Sequence, residues 1–281
     1  MSRLPVLVLV VAASLGTQVL PDLRPDTPID CASCAAWNQE REPYRVFGNT
    51  YYVGVAGLSS VLIASDAGLI LLDGGLPQSA PLIARNIHTL GFRLQDVRLI
   101  VNSHAHYDHA GGIAALQRAS GAMVAASAPG ARALQQGGPT AEDPQYAFGP
   151  KVNRFPPVTT IRTIADGEVI RVGALSLTAH LTHGHTSGST TWSWRSCEAS
   201  NCKQIVYADS LNPVSAPGFR FSGDAQNPAR LDEFRRSIEK VAALPCDVLL
   251  AVHPQFGEGR SCAVYAADGL RRLEERLLTE R

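Results

Sequence analysis

Three features of the sequence predict a four-layer α/β fold, with two sheets packed face to face and helices outside. Short apolar runs divided by Gly and Asp open the chain, and strand and helix signals then alternate. The same scheme recurs in the second half. At 281 residues and 45% hydrophobic content, the chain can bury one core large enough for both halves, so we expect a single domain made of two similar halves.

The β-rich opening comprises Tyr44–Phe47, Thr50–Val55, Ser60–Ser65 and Leu69–Leu72, which read as consecutive antiparallel strands. From Gln78 to Leu90 the apolar residues Ala80, Leu82, Ile83, Ile87 and Leu90 recur at helical spacing, and Gly91 ends the helix. Val97–Val101 is a buried strand followed by a polar loop. A helix over 111–118, a strand at 122–126 and a helix near 129–136 complete this half. The second half places strands at 168–172, 175–181, 190–194 and 204–207, a helix over 231–244, a strand at 247–252 and a closing helix over 263–278. The stretch from Gln136 to Pro157, rich in Gly and Pro, is too long for a simple connection; it is either a linker between halves or a loop over a site.

Arg3 precedes an apolar run to Leu15, and the small residues Ser14 and Gly16 precede a cleavage point, so residues 1–16 read as a signal peptide. A dozen apolar residues fall short of the roughly 20 that span a bilayer. Residues 17–35, rich in Pro and Asp at their start, read as a mobile leader, and 36–281 as the domain. A periplasmic protein meets oxidising conditions, so its six Cys are disulfide candidates first. Cys197 and Cys202 can close a hairpin loop, and Cys246 and Cys262 bracket the segment carrying His253. Cys31 and Cys34 form either a local disulfide or free thiols. Lys plus Arg (25) balance Asp plus Glu (25), which leaves no net field for nucleic acid or an anionic membrane; a small-molecule substrate and a monomer are expected.

The chemistry concentrates in His104-Ala105-His106-Tyr107-Asp108-His109, directly after the strand at 97–101. Residues two apart in extended backbone point to one side, so His104 and His106 can present two imidazoles to one metal ion, while Asp108 and His109 face a second. A catalytic metal needs at least three protein ligands, which predicts further histidines downstream. His185, in Gly184–Gly188, and His253 both follow strands, where loops on a rigid scaffold converge. His183 is the main competitor of His185, with His180 beside it; His88 sits in a helix pattern and reads as surface. No G-x-S-x-G elbow is present, so a metal-activated water is the expected nucleophile.

These residues resemble the metallo-β-lactamase superfamily, and specifically the third subclass of class B β-lactamases. The likeness extends over Trp37-Asn38, Phe47–Gly54, His104–His109, Gly184–Gly188, Tyr207–Leu211 and Ala243–Asp247. It implies an αβ/βα sandwich, hydrolysis of the β-lactam amide of penicillins, cephalosporins and carbapenems, and two Zn²⁺ ions. His104, His106 and His185 would hold one ion and Asp108, His109 and His253 the other. Asp108 would also orient the attacking hydroxide, and Ser210 and Asn212 would bind the drug's carboxylate. Tyr207 and Asp209 would be core residues or lie behind the ligands. Three places depart from the pattern: Ala56 stands where some relatives have a Cys, Pro254–Glu258 is short and bulky, and Asp209 could bridge the metals as in thioester hydrolases and lactonases. A lactone or thioester hydrolase of the same fold is therefore the main alternative. A mononuclear iron oxygenase would leave several of the six ligands unused, and a silent scaffold would be expected to lose some.

Overall fold

The computed structural model describes residues 23–225 and 228–280, so the expected signal peptide lies outside the described residues. In chain order the elements begin with α1 (Cys34–Trp37), β1 (Tyr44–Phe47), β2 (Thr50–Tyr52), β3 (Val61–Ser65), β4 (Gly68–Leu72), α2 (Ala80–Thr89) and β5 (Val97–Val101). Then come α3 (Tyr107–Ala110), α4 (Ile113–Ser120), β6 (Met123–Ser127), α5 (Ala128–Gln136), α6 (Pro150–Asn153) and β7 (Ile161–Ile164). The second half holds β8 (Val169–Val172), β9 (Leu175–Leu181), β10 (Thr190–Glu198), β11 (Asn201–Ala208), α7 (Leu231–Ala243), β12 (Val248–Ala251), α8 (Pro254–Gly257) and α9 (Cys262–Leu278).

Seven strands form one sheet in the order β1-β2-β3-β4-β5-β6-β7, and five form the other in the order β12-β11-β10-β9-β8. Strand periodicity builds the layers. Val61, Ile63, Ile70 and Leu72 meet Leu177, Trp192, Trp194, Ile205 and Tyr207 between the sheets. Their neighbours Leu62, Leu69 and Leu71 turn the other way, onto Ile83, Ile87, Ile113 and Leu116 of α2 and α4. In the second sheet Val206 and Ala208 pack on Phe234, Ile238 and Val241 of α7 and on Tyr265 and Leu273 of α9. The four expected layers are therefore helices, sheet, sheet and helices. Among the described residues no helix is long and apolar enough to cross a membrane.

The structure departs from the sequence expectation in four places. The strand expected over 50–55 leaves the ladder after Tyr52; Val53 and Val55 are fully buried, but in a turn where their N–H groups donate to Ser60 and Leu58 carbonyls. Burial, rather than sheet pairing, accounts for that apolar run. β7 was not expected, since its Arg162 and Thr163 are exposed and it lies at the sheet edge, parallel to β6. The polar loop after β5 contains the helical turn α3. Residues 23–35, expected as a mobile leader, contact the domain: Asp26 pairs with Arg118, Ile29 exchanges two backbone hydrogen bonds with the Gln78 amide, and Cys31 is bonded to Cys34. The other bridges are Cys197–Cys202 and Cys246–Cys262.

Candidate metal centre

Parallel pairing of β4 with β5, and of β11 with β12, brings the C-terminal ends of four strands to one end of the sandwich. The loops that leave them carry the chemistry-bearing side chains. His104 follows β5, His106 is the N-cap residue of α3, and Asp108 and His109 lie within α3. The His109 carbonyl accepts the Gly74 N–H, and the Gly112 N–H donates to Gly75, which straps α3 to the end of β4. Only glycine fits at 112, where a Cβ would stand 2.2 Å from the Gly74 carbonyl oxygen. His185 sits between β9 and β10. Gly184 before it has φ +152 and lies against Phe234, where a Cβ would approach to 2.3 Å. His253 follows β12 as the N-cap residue of α8.

The ligand atoms of His104, His106 and His185 lie within 4.8 Å of one another, and so do those of His104, Asp108 and His109. His253 joins the second group through Asp108, whose Oδ2 is 3.4 Å from both His253 Nε2 and His109 Nε2. The structure thus brings all six expected ligand residues together. His88, His180 and His183 belong to neither group; His180 instead bonds Ser193 across the sheet at 2.8 Å.

Four of the five imidazoles are aimed by a hydrogen-bond partner on the far side. His104 Nδ1 donates to Asp209 Oδ1 at 2.6 Å, His185 Nδ1 to the Asn212 carbonyl at 2.7 Å, and His253 Nδ1 to the Gly57 carbonyl at 3.1 Å. In all three the Nε2 lone pair faces the group. His106 is turned over: its Nε2 bonds Asp143 at 3.1 and 3.2 Å, which leaves Nδ1 to face His104 and His185, with the Gln145 amide 3.4 Å from it. His109 is held less closely, its Nδ1 being 3.9 Å from Asp73 Oδ2. Burial pushes the His104 imidazole well below its usual range and His185 down to about 3, so both are neutral, the state in which imidazole binds metal.

The fully buried His104 Nε2 and both His109 ring nitrogens have no hydrogen-bond partner. Buried nitrogens are rarely left so, and a cation facing His104 Nε2 and His109 Nε2 satisfies one ring nitrogen of each, His109 Nδ1 being turned to Asp73. The donors are imidazoles and one carboxylate, a set suited to a divalent ion of the zinc type. The residues present therefore fit a metal.

Two supporting carboxylates were not anticipated from sequence. Asp73, at φ +58, accepts from Asn102 Nδ2 (3.0 Å), Ser103 N (2.7 Å), Ser103 Oγ (2.6 Å) and the Tyr207 hydroxyl (2.8 Å). It ties β4, β5 and β11 together beneath the site, and burial pushes its pKa up to about 6. Asp143 lies in the long 137–157 stretch. The signal for Asp73 was an Asp placed directly after a strand; nothing local marks Asp143.

A cleft of ≈ 510 Å³ opens over the centre, lined on one side by Asp30–Ser33 and Trp37 and on the other by Gln145, Phe148, Val152 and Asn153. Of the two residues expected at the substrate's carboxylate, Ser210 and Asn212 both line this cleft, and Ser210 Oγ accepts the Asn212 N–H. The short α8 after His253 puts Phe256 on the rim, its ring 6.0 Å from the imidazole, with Trp37 at 5.3 Å on another side.

This combination of an αββα sandwich with metal-ligating loops at one strand end defines a class of metal-dependent hydrolases. The chain belongs to the metallo-β-lactamase superfamily, whose family model matches residues 53–193, half of its length. Among solved structures, the Rm3 metallo-β-lactamase is 46% identical with a TM-score of 0.86, over 89% of this chain and 99% of that one. MEM-A1, a subclass B3 metallo-β-lactamase isolated from a soil metagenome library, is 47% identical with a TM-score of 0.84, over 87% and 98%. The hydroxyacylglutathione hydrolase of Anaeromyxobacter dehalogenans (strain 2CP-C) is 31% identical over 69% of this chain. The chain spans 58% of that relative's length.

Proposed function

We propose that this chain hydrolyses the β-lactam amide bond of penicillins, cephalosporins and carbapenems with two zinc ions. One would be held by His104, His106 and His185, and the other by Asp108, His109 and His253. The observation that carries this reading is where Asp209 stands. Its carboxylate lies behind His104, on Nδ1, and it is in neither group of ligand atoms. A thioester hydrolase of the superfamily would need an aspartate between the metals, so this geometry favours the lactamase over the activity named for the curated relatives.

Bound zinc would supply a water of lowered pKa and a Lewis acid for the carbonyl under attack. The protein's own part is orientation. Asp209, Asp143 and the Asn212 carbonyl fix which nitrogen each of three imidazoles presents, before any ligand arrives. Asp108 is the carboxylate in the six-residue set, and its Oδ atoms are the acceptors that would hold the proton of the attacking water. Among the described residues lining the cleft there is no Lys or Arg. A substrate carboxylate would therefore be held by the Ser210 hydroxyl and the Asn212 side-chain amide rather than by a salt bridge. The N-terminal sequence supports export to the periplasm, and we expect a monomer there.

Steady-state hydrolysis of a cephalosporin, a carbapenem and a hydroxyacylglutathione thioester, with and without a chelator, tests the reading. Chelator-sensitive turnover of the two β-lactams, with little of the thioester, is expected. Preferential thioester turnover would overturn it.

A further inference from the structure

We propose that Asp143 is a positioning residue for His106 and that, through it, metal binding at the three-histidine group is coupled to the order of the 137–157 loop. The inference rests on the metal-site reading but not on the identity of the substrate.

His106 and Asp143 are both buried, at 4% and 7% exposure, and the imidazole Nε2 lies 3.1 and 3.2 Å from the two carboxylate oxygens. An acceptor of this kind on the outer nitrogen fixes the tautomer, sets the ring's angle and makes Nδ1 more basic. His104 and His185 owe their orientation to residues 209 and 212, at the end of β11. His106 alone of the three depends on a residue of the long 137–157 stretch rather than on the segment that leaves β11.

That residue shapes its own loop as well. Asp143 Oδ1 also accepts the backbone N–H of Gln145 at 2.8 Å, so one oxygen joins the metal ligand to the turn over 143–145. Flanking bonds extend the connection. The Pro144 carbonyl accepts the Ala216 N–H at 2.9 Å, and the Gln145 carbonyl accepts from the buried Asn153 amide at 2.7 Å. Gln145, Phe148, Val152 and Asn153 form one wall of the cleft. The wall and the metal ligand therefore share a single carboxylate.

Coupling of this kind is reciprocal. A metal ion that holds His106 favours the loop conformation that presents Asp143, and a loop so placed favours the ion by the same factor. Partners in this position are typically worth about 10–100-fold in metal affinity.

Trypsin can report on the loop, because Lys151 and Arg154 are exposed within it. Full-length protein, stripped of metal and then titrated with zinc against a chromophoric chelator, gives the affinity; cleavage after Lys151 and Arg154, with and without saturating zinc, gives the loop's order. In the wild type, zinc should slow cleavage. In Asp143→Ala, zinc affinity should fall about 10–100-fold, and saturating zinc should no longer protect the loop. Asp143→Asn keeps a neutral acceptor and should lie between the two, and it carries both readouts if the alanine variant does not fold. Asp209→Ala is the control: it should weaken zinc binding through His104 yet leave a loop that zinc still protects. Zinc affinity within twofold of wild type in the Asp143 variants, or zinc protection that persists in them, would overturn the proposal. A wild-type chain that binds no zinc would refute the metal site itself and this coupling with it.

Discussion

The two ends of the sandwich are built from the same strands and hold cavities of similar size, yet only one is equipped for chemistry. The metal end has a cleft of ≈ 510 Å³. A larger cavity, ≈ 700 Å³, extends from the opposite end along β9 and β10, lined by Asn49, Ser65, Ser176, His180, Ser193 and Arg195 among others. Volume therefore does not identify the site. At the metal end, the polar groups leave strand ends on separate loops and converge with their ring nitrogens turned inward. At the far end, the hairpin turns of β3–β4, β8–β9 and β10–β11 keep polar groups paired within the turns, as the Ser65 hydroxyl is with the Gly68 carbonyl. Parallel pairing and crossovers make the first arrangement possible, because consecutive strand ends then point the same way. The far end should tolerate changes that the metal end does not.

The largest expected effect is at Asp108. Replacing it by Ala removes the one carboxylate of the six-residue set, and turnover should fall on the order of 10²–10⁴-fold. Zinc content, read by mass spectrometry of the native protein, should drop from two ions to one. Undiminished turnover would mean that the second group is wrongly assigned. Asp73 lies beneath the same end but touches His109 only at 3.9 Å. Its replacement by Asn should act on folding first: four donors lose a charged acceptor, and about 2–3 kcal/mol of stability should be lost, measured by urea unfolding of the metal-free protein. A fully stable variant would show that β4, β5 and β11 are held together by packing alone.

The parts of this contrast that sequence reveals are those that follow from short-range pattern. Strand alternation gave the layers, and the spacing of His104, His106, Asp108 and His109 after a buried strand gave the first members of the two candidate metal groups. His185 and His253 could be found because each follows a strand and stands beside turn-forming residues. The second line of support was much less legible. Asp143 contacts His106 from 37 residues away, inside a Gly- and Pro-rich stretch that offered only a choice between linker and loop. Asp73 meets Ser103 and Tyr207 across distances of 30 and 134 residues. Such pairings are fixed by topology, and no periodicity in the chain announces them. β7 was missed for a related reason: an exposed edge strand lacks the apolar run that marks a buried one.

At the far end, the Cys197–Cys202 bridge closes the β10–β11 turn, and the cysteines face one another in register. Changing both to Ser should lower stability by about 2 kcal/mol, because a loop this short constrains the unfolded chain only modestly. Turnover per folded molecule should stay within twofold of wild type. A larger kinetic effect would show that the two ends communicate.

The smallest expected effect is at His180, and it carries a sign. Burial lowers this imidazole's pKa below its usual 6.5, against the raising influence of Asp166. The folded protein thus holds the ring neutral, bonded to Ser193, while the unfolded chain protonates it as pH falls through 6.5. A depressed basic group binds more protons when unfolded, so its contribution is present above about pH 6.5 and is lost as pH drops towards the folded-state value. His180→Ala should therefore cost about 1 kcal/mol at pH 7.5, roughly one hydrogen bond. The gap between wild type and variant in thermal unfolding should narrow by pH 5.5. β-Lactam turnover should be unchanged at either pH, since the ring belongs to neither ligand group. A gap that widens in acid would mean that His180 is charged in the folded protein, with Asp166 as its negative partner. The larger cavity would then differ from the metal-end cleft in the kind of group it gathers rather than in whether it gathers one.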